Sequence, residues 1–184
     1  MPRAFIAIRL AAPSPTLLAV LRTLSHMGSA VKAIPPANLH ITLRFLGDTE
    51  PASFDAIEKA IRHASAGVAP FAFHLTGLGA FPHQARPSVV WVGATGDATL
   101  HRIVAALNPA IDALHFGRDD GGRPWISHLT LARVKAKPPD SLRQLFDEHP
   151  RTDFGPFLVT TIDLMLSTLT KTGPIYAVER TVTL

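Results

Sequence analysis

One short pattern occurs twice in this chain, and it constrains the fold more than any other feature. His40-Ile41-Thr42-Leu43-Arg44 lies in the first half and His128-Leu129-Thr130-Leu131-Ala132-Arg133 in the second, 88 residues apart. Residues two apart in a strand share a face. His40 and Thr42 therefore point one way and Leu39, Ile41 and Leu43 the other, and His128 and Thr130 repeat that arrangement against Leu129 and Leu131. A polar stripe backed by a branched apolar stripe suits a strand lying between a cleft and a packed core. The offset is too long for a solenoid, whose repeats run about 20 to 50 residues. It fits two similar lobes related by a pseudo-twofold axis, each presenting the same two side chains.

The flanking segments supply elements for such a fold. Arg3 to Leu10 alternates as a first strand. Ser14 to Met27 carries Leu17, Leu18, Val20, Leu21 and Leu24 at helical spacing behind Pro13 and Pro15. A strand over Leu39 to Leu46 ends at Gly47-Asp48, and Pro51 to Ala66 reads as an amphipathic helix with Glu58 and Arg62 four apart. Phe71 to Leu78 and Val89 to Val92 read as strands, and Thr99 to Leu114 as a helix that Pro109 should kink or break. After the polar stretch from Gly117 to Pro124 come a strand from Trp125 to Val134 and a short helix from Ser141 to His149. Single strands from Phe157 to Leu166 and from Tyr176 to Leu184 follow, with Gly173-Pro174 as the turn between them. The order lacks a regular βαβ rhythm and a Gly-rich nucleotide loop. The expectation is a bilobal α+β domain over residues 1–184, two pseudo-twofold-related antiparallel sheets lining a cleft with helices outside.

Composition narrows the chemistry. There is no cysteine, which excludes disulfides, thiolate metal sites and a cysteine nucleophile. No apolar run reaches the roughly 18 residues of a membrane span. The opening residues read as a strand rather than a secretory signal, so a cytoplasmic chain without membrane partners is expected. A formal charge of +4 favours anionic partners weakly.

Two imidazoles that titrate near neutral pH can act as a general base on water and a general acid on a leaving oxygen. Threonine hydroxyls can hold non-bridging phosphate oxygens as charge develops. His40, His128, Thr42 and Thr130 together describe in-line displacement at a phosphodiester, with Arg44 and Arg133 as candidate phosphate ligands. By strict alternation Arg44 shares a face with His40 while Arg133 is out of phase with His128, which favours Arg44. The same parity puts Phe45 in the core beside Leu43.

The chain resembles the 2H phosphoesterase superfamily, specifically the bacterial and archaeal RNA 2′,3′-cyclic phosphodiesterases once named for 2′-5′ RNA ligase activity. Arg3 to Ile8, Asn38 to Gly47, Leu78 to Pro82, Val89 to Val92, His128 to Arg133 and Gly173 to Tyr176 carry the likeness. The resemblance implies a bilobal fold and hydrolysis of an RNA 2′,3′-cyclic phosphate to a 2′-phosphate without metal or other cofactor. It also implies His40 as proton donor and His128 as proton acceptor, two roles that the spacing does not distinguish. Ser127 stands where many relatives have proline, a departure expected to alter loop rigidity rather than chemistry. Ligation of a cyclic-phosphate end to a 5′-hydroxyl, a small cyclic nucleotide or 2′,5′-linked oligonucleotide as substrate, and a non-catalytic RNA-binding role remain as alternatives. RNA ending in a cyclic phosphate, tRNA fragments included, is the expected partner. A monomer is the expected state, because the pseudo-twofold is internal.

The other seven histidines are scattered without metal-ligand spacing. His26, His63, His101 and His149 read as solvent-facing, and only His83 is kept as a possible substrate contact. Trp125 and Tyr176 could border a nucleotide, Ser167 and Thr168 could touch phosphate, and the stretch from Gly117 to Pro124 could close over substrate.

Overall fold

The computed structural model describes residues 2–117, 124–170 and 173–184. Four helices and nine strands run along the described chain. They are β1 (Arg3–Arg9), α1 (Pro15–Ser25), β2 (Val31–Ala33), β3 (His40–Asp48), α2 (Phe54–Ala64), β4 (Phe71–Phe81), β5 (Val89–Thr95) and α3 (Ala98–Asp112), followed by β6 (His128–Val134), α4 (Asp140–Glu148), β7 (Asp153–Val159), β8 (Thr161–Thr170) and β9 (Gly173–Thr183). The strands form two antiparallel sheets, ordered β3-β1-β8-β9 and β2-β6-β5-β4-β7.

The pseudo-twofold is visible in strand order. Each motif strand lies beside the strand that opens its half of the chain and then a third: β3-β1-β8 in one sheet, β6-β5-β4 in the other. The third strands are exchanged, since β4 from the first half joins the second half's sheet and β8 does the reverse. Helices are exchanged as well: α1 packs against β2 and β6, while α3 packs against β3 and α2. The two lobes are thus interleaved in sequence.

Local chemistry sets most of these elements. Ser14 caps α1, its hydroxyl accepting from the Leu17 amide at 3.2 Å, and Pro15 opens the helix where a missing N–H costs nothing. Leu17, Val20, Leu21 and Leu24 are buried on one face. Ile41, Leu43, Leu129 and Leu131 lie fully buried behind the two motif stripes. Each such side chain contributes about 1.5 to 3 kcal/mol by leaving water.

Several boundaries differ from the sequence expectation. Residues expected as one strand, Phe157 to Leu166, belong to β7 and β8 in different sheets, joined through Thr160. The residues on either side of Thr160, Phe157 to Ile162, are all apolar or β-branched and include no turn residue, so only tertiary pairing reveals the switch. β2, three residues long, has too few positions to show a period. Gly173 and Pro174, expected as a turn, instead pair with Thr170 and Leu169 as the first residues of β9. Helix α3 continues through Pro109, which sits in its last turn. The possible cover between Gly117 and Pro124 also lies outside the described residues.

Candidate active site

The motif strands do not keep strict alternation. In β3, Thr42 pairs with Ala7 and Arg44 with Ile6, leaving Leu43 as an extra residue. In β6, Thr130 pairs with Trp91 and Ala132 with Val90, leaving Leu131 extra at the same place. An extra residue shifts the side-chain phase by one. His40, Thr42, His128 and Thr130 come before the shift, half-buried with the apolar stripe behind them. After it, parity is inverted: Arg44 and Ala132 turn inward, and Phe45 and Arg133 turn outward.

This corrects two expectations. Arg44, favoured as the phosphate ligand, is 6% exposed and committed to the protein. Its Nη2 donates to Asp112 Oδ1 at 2.6 Å and to the carbonyls of Phe116 and Gly117, and its Nη1 donates to Asn108. It fastens α3 to β3. Phe45, expected in the core, is 50% exposed and lies 6.2 Å from the Phe5 ring. Arg133 occupies the position equivalent to Phe45, and its positive charge acts on His40, His128 and Tyr176.

The two imidazoles are held alike. His40 Nδ1 lies 2.7 Å from the Asn38 carbonyl oxygen, and His128 Nδ1 lies 2.8 Å from that of Ile126. A carbonyl can only accept, so Nδ1–H donates in each ring and Nε2 carries the exchangeable lone pair. Burial pushes both groups below the ordinary histidine range, opposed by these carbonyl bonds; His128 and Arg133 depress His40 further, and Arg133 depresses His128. Neither threonine hydroxyl is spent on a protein partner among the described residues. The Trp125 indole N–H donates to the Thr42 carbonyl at 3.0 Å, bracing the approach to β6 against β3.

Around this shared frame the two walls differ. On the His128 side, Phe81 meets the imidazole edge-on at 5.0 Å and Trp91 lies at 6.4 Å. The Trp91 ring rests on β4 where Gly79 offers no side chain; a Cβ there would come within 2.2 Å of it. On the His40 side the residue equivalent to Trp91 is Ala7, and the one equivalent to Gly79 is Asp163. Opposite His40 stands Arg9, where His128 faces Gly93. An indole fills one side. The other keeps a cavity of about 80 Å³ lined by Arg9, Asn38, His40, Met165, Tyr176 and Val178. Phe5 and Tyr176 flank the His40 ring at 5.0 and 5.3 Å.

Residues 13–169 match the family described as the 2′-5′ RNA ligase superfamily. The chain belongs to that superfamily. It is 36% identical over 157 residues to an RNA 2′,3′-cyclic phosphodiesterase of Archaeoglobus fulgidus, an alignment covering 85% of each chain. It is 39% identical over 157 residues to another of that name from Aeropyrum pernix, covering 84% of this chain and 86% of the relative. Among solved structures, one from Thermus thermophilus superposes with a TM-score of 0.78 at 28% identity, covering 99% of this chain and 97% of the other. E. coli LigT in its apo form superposes with a TM-score of 0.73 at 23% identity, with coverage of 99% and 97%, a likeness of fold.

Within this superfamily member the remaining expectations sort by place. Tyr176 borders His40, and Ser167 pairs with it across β8 and β9. Thr168 and His83 are exposed, as are His26, His63 and His101, whereas His149 is half-buried against Phe154. No group of three metal-ligating side chains converges among the described residues, and no described helix is long and apolar enough to cross a membrane. Ser127 is buried with its hydroxyl unpartnered among those residues. Sequence reasoning missed Arg9, Asp163, Phe5, Phe81 and Trp91 as wall residues. Asp163 had a signal, a lone carboxylate inside the apolar run Ile162 to Leu166. The others had none, because they are defined by cross-strand register.

Proposed function

We propose that this protein hydrolyses the 2′,3′-cyclic phosphate at the end of an RNA, leaving a 2′-phosphate. The observation that carries the reading is the matched pair of imidazoles, each with Nδ1 tied to a backbone carbonyl and each coupled to Arg133. The names of the phosphodiesterases of A. fulgidus and Ae. pernix support the substrate class.

His128 Nε2 takes a proton from water as the water oxygen forms its bond to phosphorus. The P–O3′ bond breaks in line, and His40 Nε2–H protonates the departing O3′. Thr42, Thr130 and Arg133 hold the non-bridging oxygens as charge builds. Arg44 has no part in this step, since it is buried and its Nη groups are engaged by Asp112, Asn108 and the carbonyls of Phe116 and Gly117. The unequal walls support the polarity. The ribose remains attached through O2′ and must lie on the leaving-group side, where the cavity beside His40 offers room. The attacking side needs space only for water, and Phe81 and Trp91 close in on His128. Both half-sites come from one chain, which supports a monomer as the working unit.

The test is turnover of a short RNA ending in 2′,3′-cyclic phosphate, with EDTA present, by the native chain and by His40→Ala and His128→Ala. Folded variants that lose activity while retaining RNA binding support the reading. Turnover that survives both substitutions contradicts it, and accumulation of 2′,5′-linked product with a 5′-hydroxyl RNA moves it to ligation.

A further inference from the structure

The wall beside His40 contains a charge pair that the hydrolytic step leaves unused. Asp163 is fully buried on β8, and both of its oxygens are occupied: Arg9 Nε donates to Oδ2 at 2.7 Å and Thr181 Oγ1 to Oδ1 at 2.7 Å. Held by these two bonds, Asp163 fixes the base of the guanidinium. The far end is left available. Arg9 is 48% exposed, and its Nη groups have no hydrogen-bond partner among the described residues. Arg9 lines the same cavity as His40, its cross-strand partner. Tyr176, Met165 and Val178 give that cavity an apolar wall suited to a sugar.

Resting on the phosphodiesterase reading above, we propose that Arg9 binds the phosphodiester preceding the terminal nucleotide and so selects RNA ends over free nucleoside cyclic phosphates. With the cyclic phosphate at the histidines and its ribose beside His40, the chain leaves the ribose through O5′ toward the cavity rim, where the next negative charge meets Arg9. A guanidinium held at Nε presents its two Nη groups as a fork, the geometry that matches phosphate oxygens. The opposite lobe has no counterpart, since Gly93 occupies the equivalent position.

The experiment compares kcat/KM for a nucleoside 2′,3′-cyclic phosphate and for a dinucleotide ending in the same group. The native protein should prefer the dinucleotide by about 10-fold or more, as one charge-assisted contact allows. A dinucleotide whose internal linkage is an uncharged methylphosphonate should lose that advantage with the native protein, a readout that needs no variant. In Arg9→Gln the ratio of the two kcat/KM values should collapse toward one through KM. The salt dependence of KM for the dinucleotide should weaken by about 0.7 in log–log slope. Equal turnover of both substrates, full activity on the methylphosphonate, or an unchanged ratio in a folded Arg9→Gln would overturn the role of Arg9 and leave the phosphodiesterase reading intact. Failure of the native chain to turn over either substrate would overturn that reading itself.

Discussion

The two motif strands make one experiment in divergence. Both place a histidine and a threonine before a bulge, both tie Nδ1 to the carbonyl two residues back, and both bury the residues behind. Everything beyond that frame differs. After the bulge the first strand sends an arginine inward and a phenylalanine outward, while the second sends an alanine inward and an arginine outward. Beside His128 an indole lies on glycine; beside His40 an alanine, a buried carboxylate and an arginine leave a cavity. The duplicated frame suits the proton transfers proposed for the two histidines, and the unequal walls suit the proposed substrate, whose two ends differ.

The largest effect should come from the duplicated part. His40→Ala and His128→Ala should each lower kcat by about 10³-fold or more, toward the upper end for loss of a general acid or base, measured on cyclic-phosphate RNA. A variant retaining a tenth of native activity would remove that histidine from the chemistry.

Next comes the contrast between the arginines. Arg133→Ala should lower kcat/KM by about 10²-fold with little change in thermal midpoint. Arg44→Ala should instead lose about 3 kcal/mol of stability, because Asp112, Asn108 and two carbonyls lose their donor. Chemical denaturation and turnover on the same pair of variants check both statements. The reverse pattern would mean that the bulges do not set the functional faces.

Thr42→Val and Thr130→Val should each cost about 10-fold in kcat, nearly equal because the frame is duplicated. A large inequality would assign the phosphate to one lobe. The smallest effect concerns pH. Burial holds both histidines below their ordinary value of 6.5, and the charge on His128 depresses His40 further. The productive form has one proton on the pair, so kcat/KM should peak on the acid side of 6.5 and fall as pH rises toward 8. Arg133→Ala removes a positive charge that depresses both, so whatever activity remains should show its profile moved to higher pH. A shift the other way would contradict the placement of Arg133.

Much of the site was legible because strand alternation is a local property. Up to the bulge, His40, Thr42, His128 and Thr130 stand on the face that a period of two assigns them. Beyond it the same rule failed twice, for Arg44 and Phe45, because one extra residue inverts the side chains that follow it and nothing in the sequence marks Leu43 or Leu131 as extra. The β7–β8 junction failed for a related reason: Thr160 sits in a run whose composition suits a single strand.

The sequence by itself determined the duplicated motif, the apolar stripes behind it, most of the helices and strands, and the absence of cysteine chemistry. These depend on residue identity and short spacing, which fix what each segment can bury. Tertiary structure decided the exchange of strands and helices between lobes, the inversion that sends Arg133 to the cleft and Arg44 to the core, and the meeting of Arg9 with Asp163 across 154 residues. Those depend on register between distant strands, where a slip of one residue turns a side chain from solvent to core.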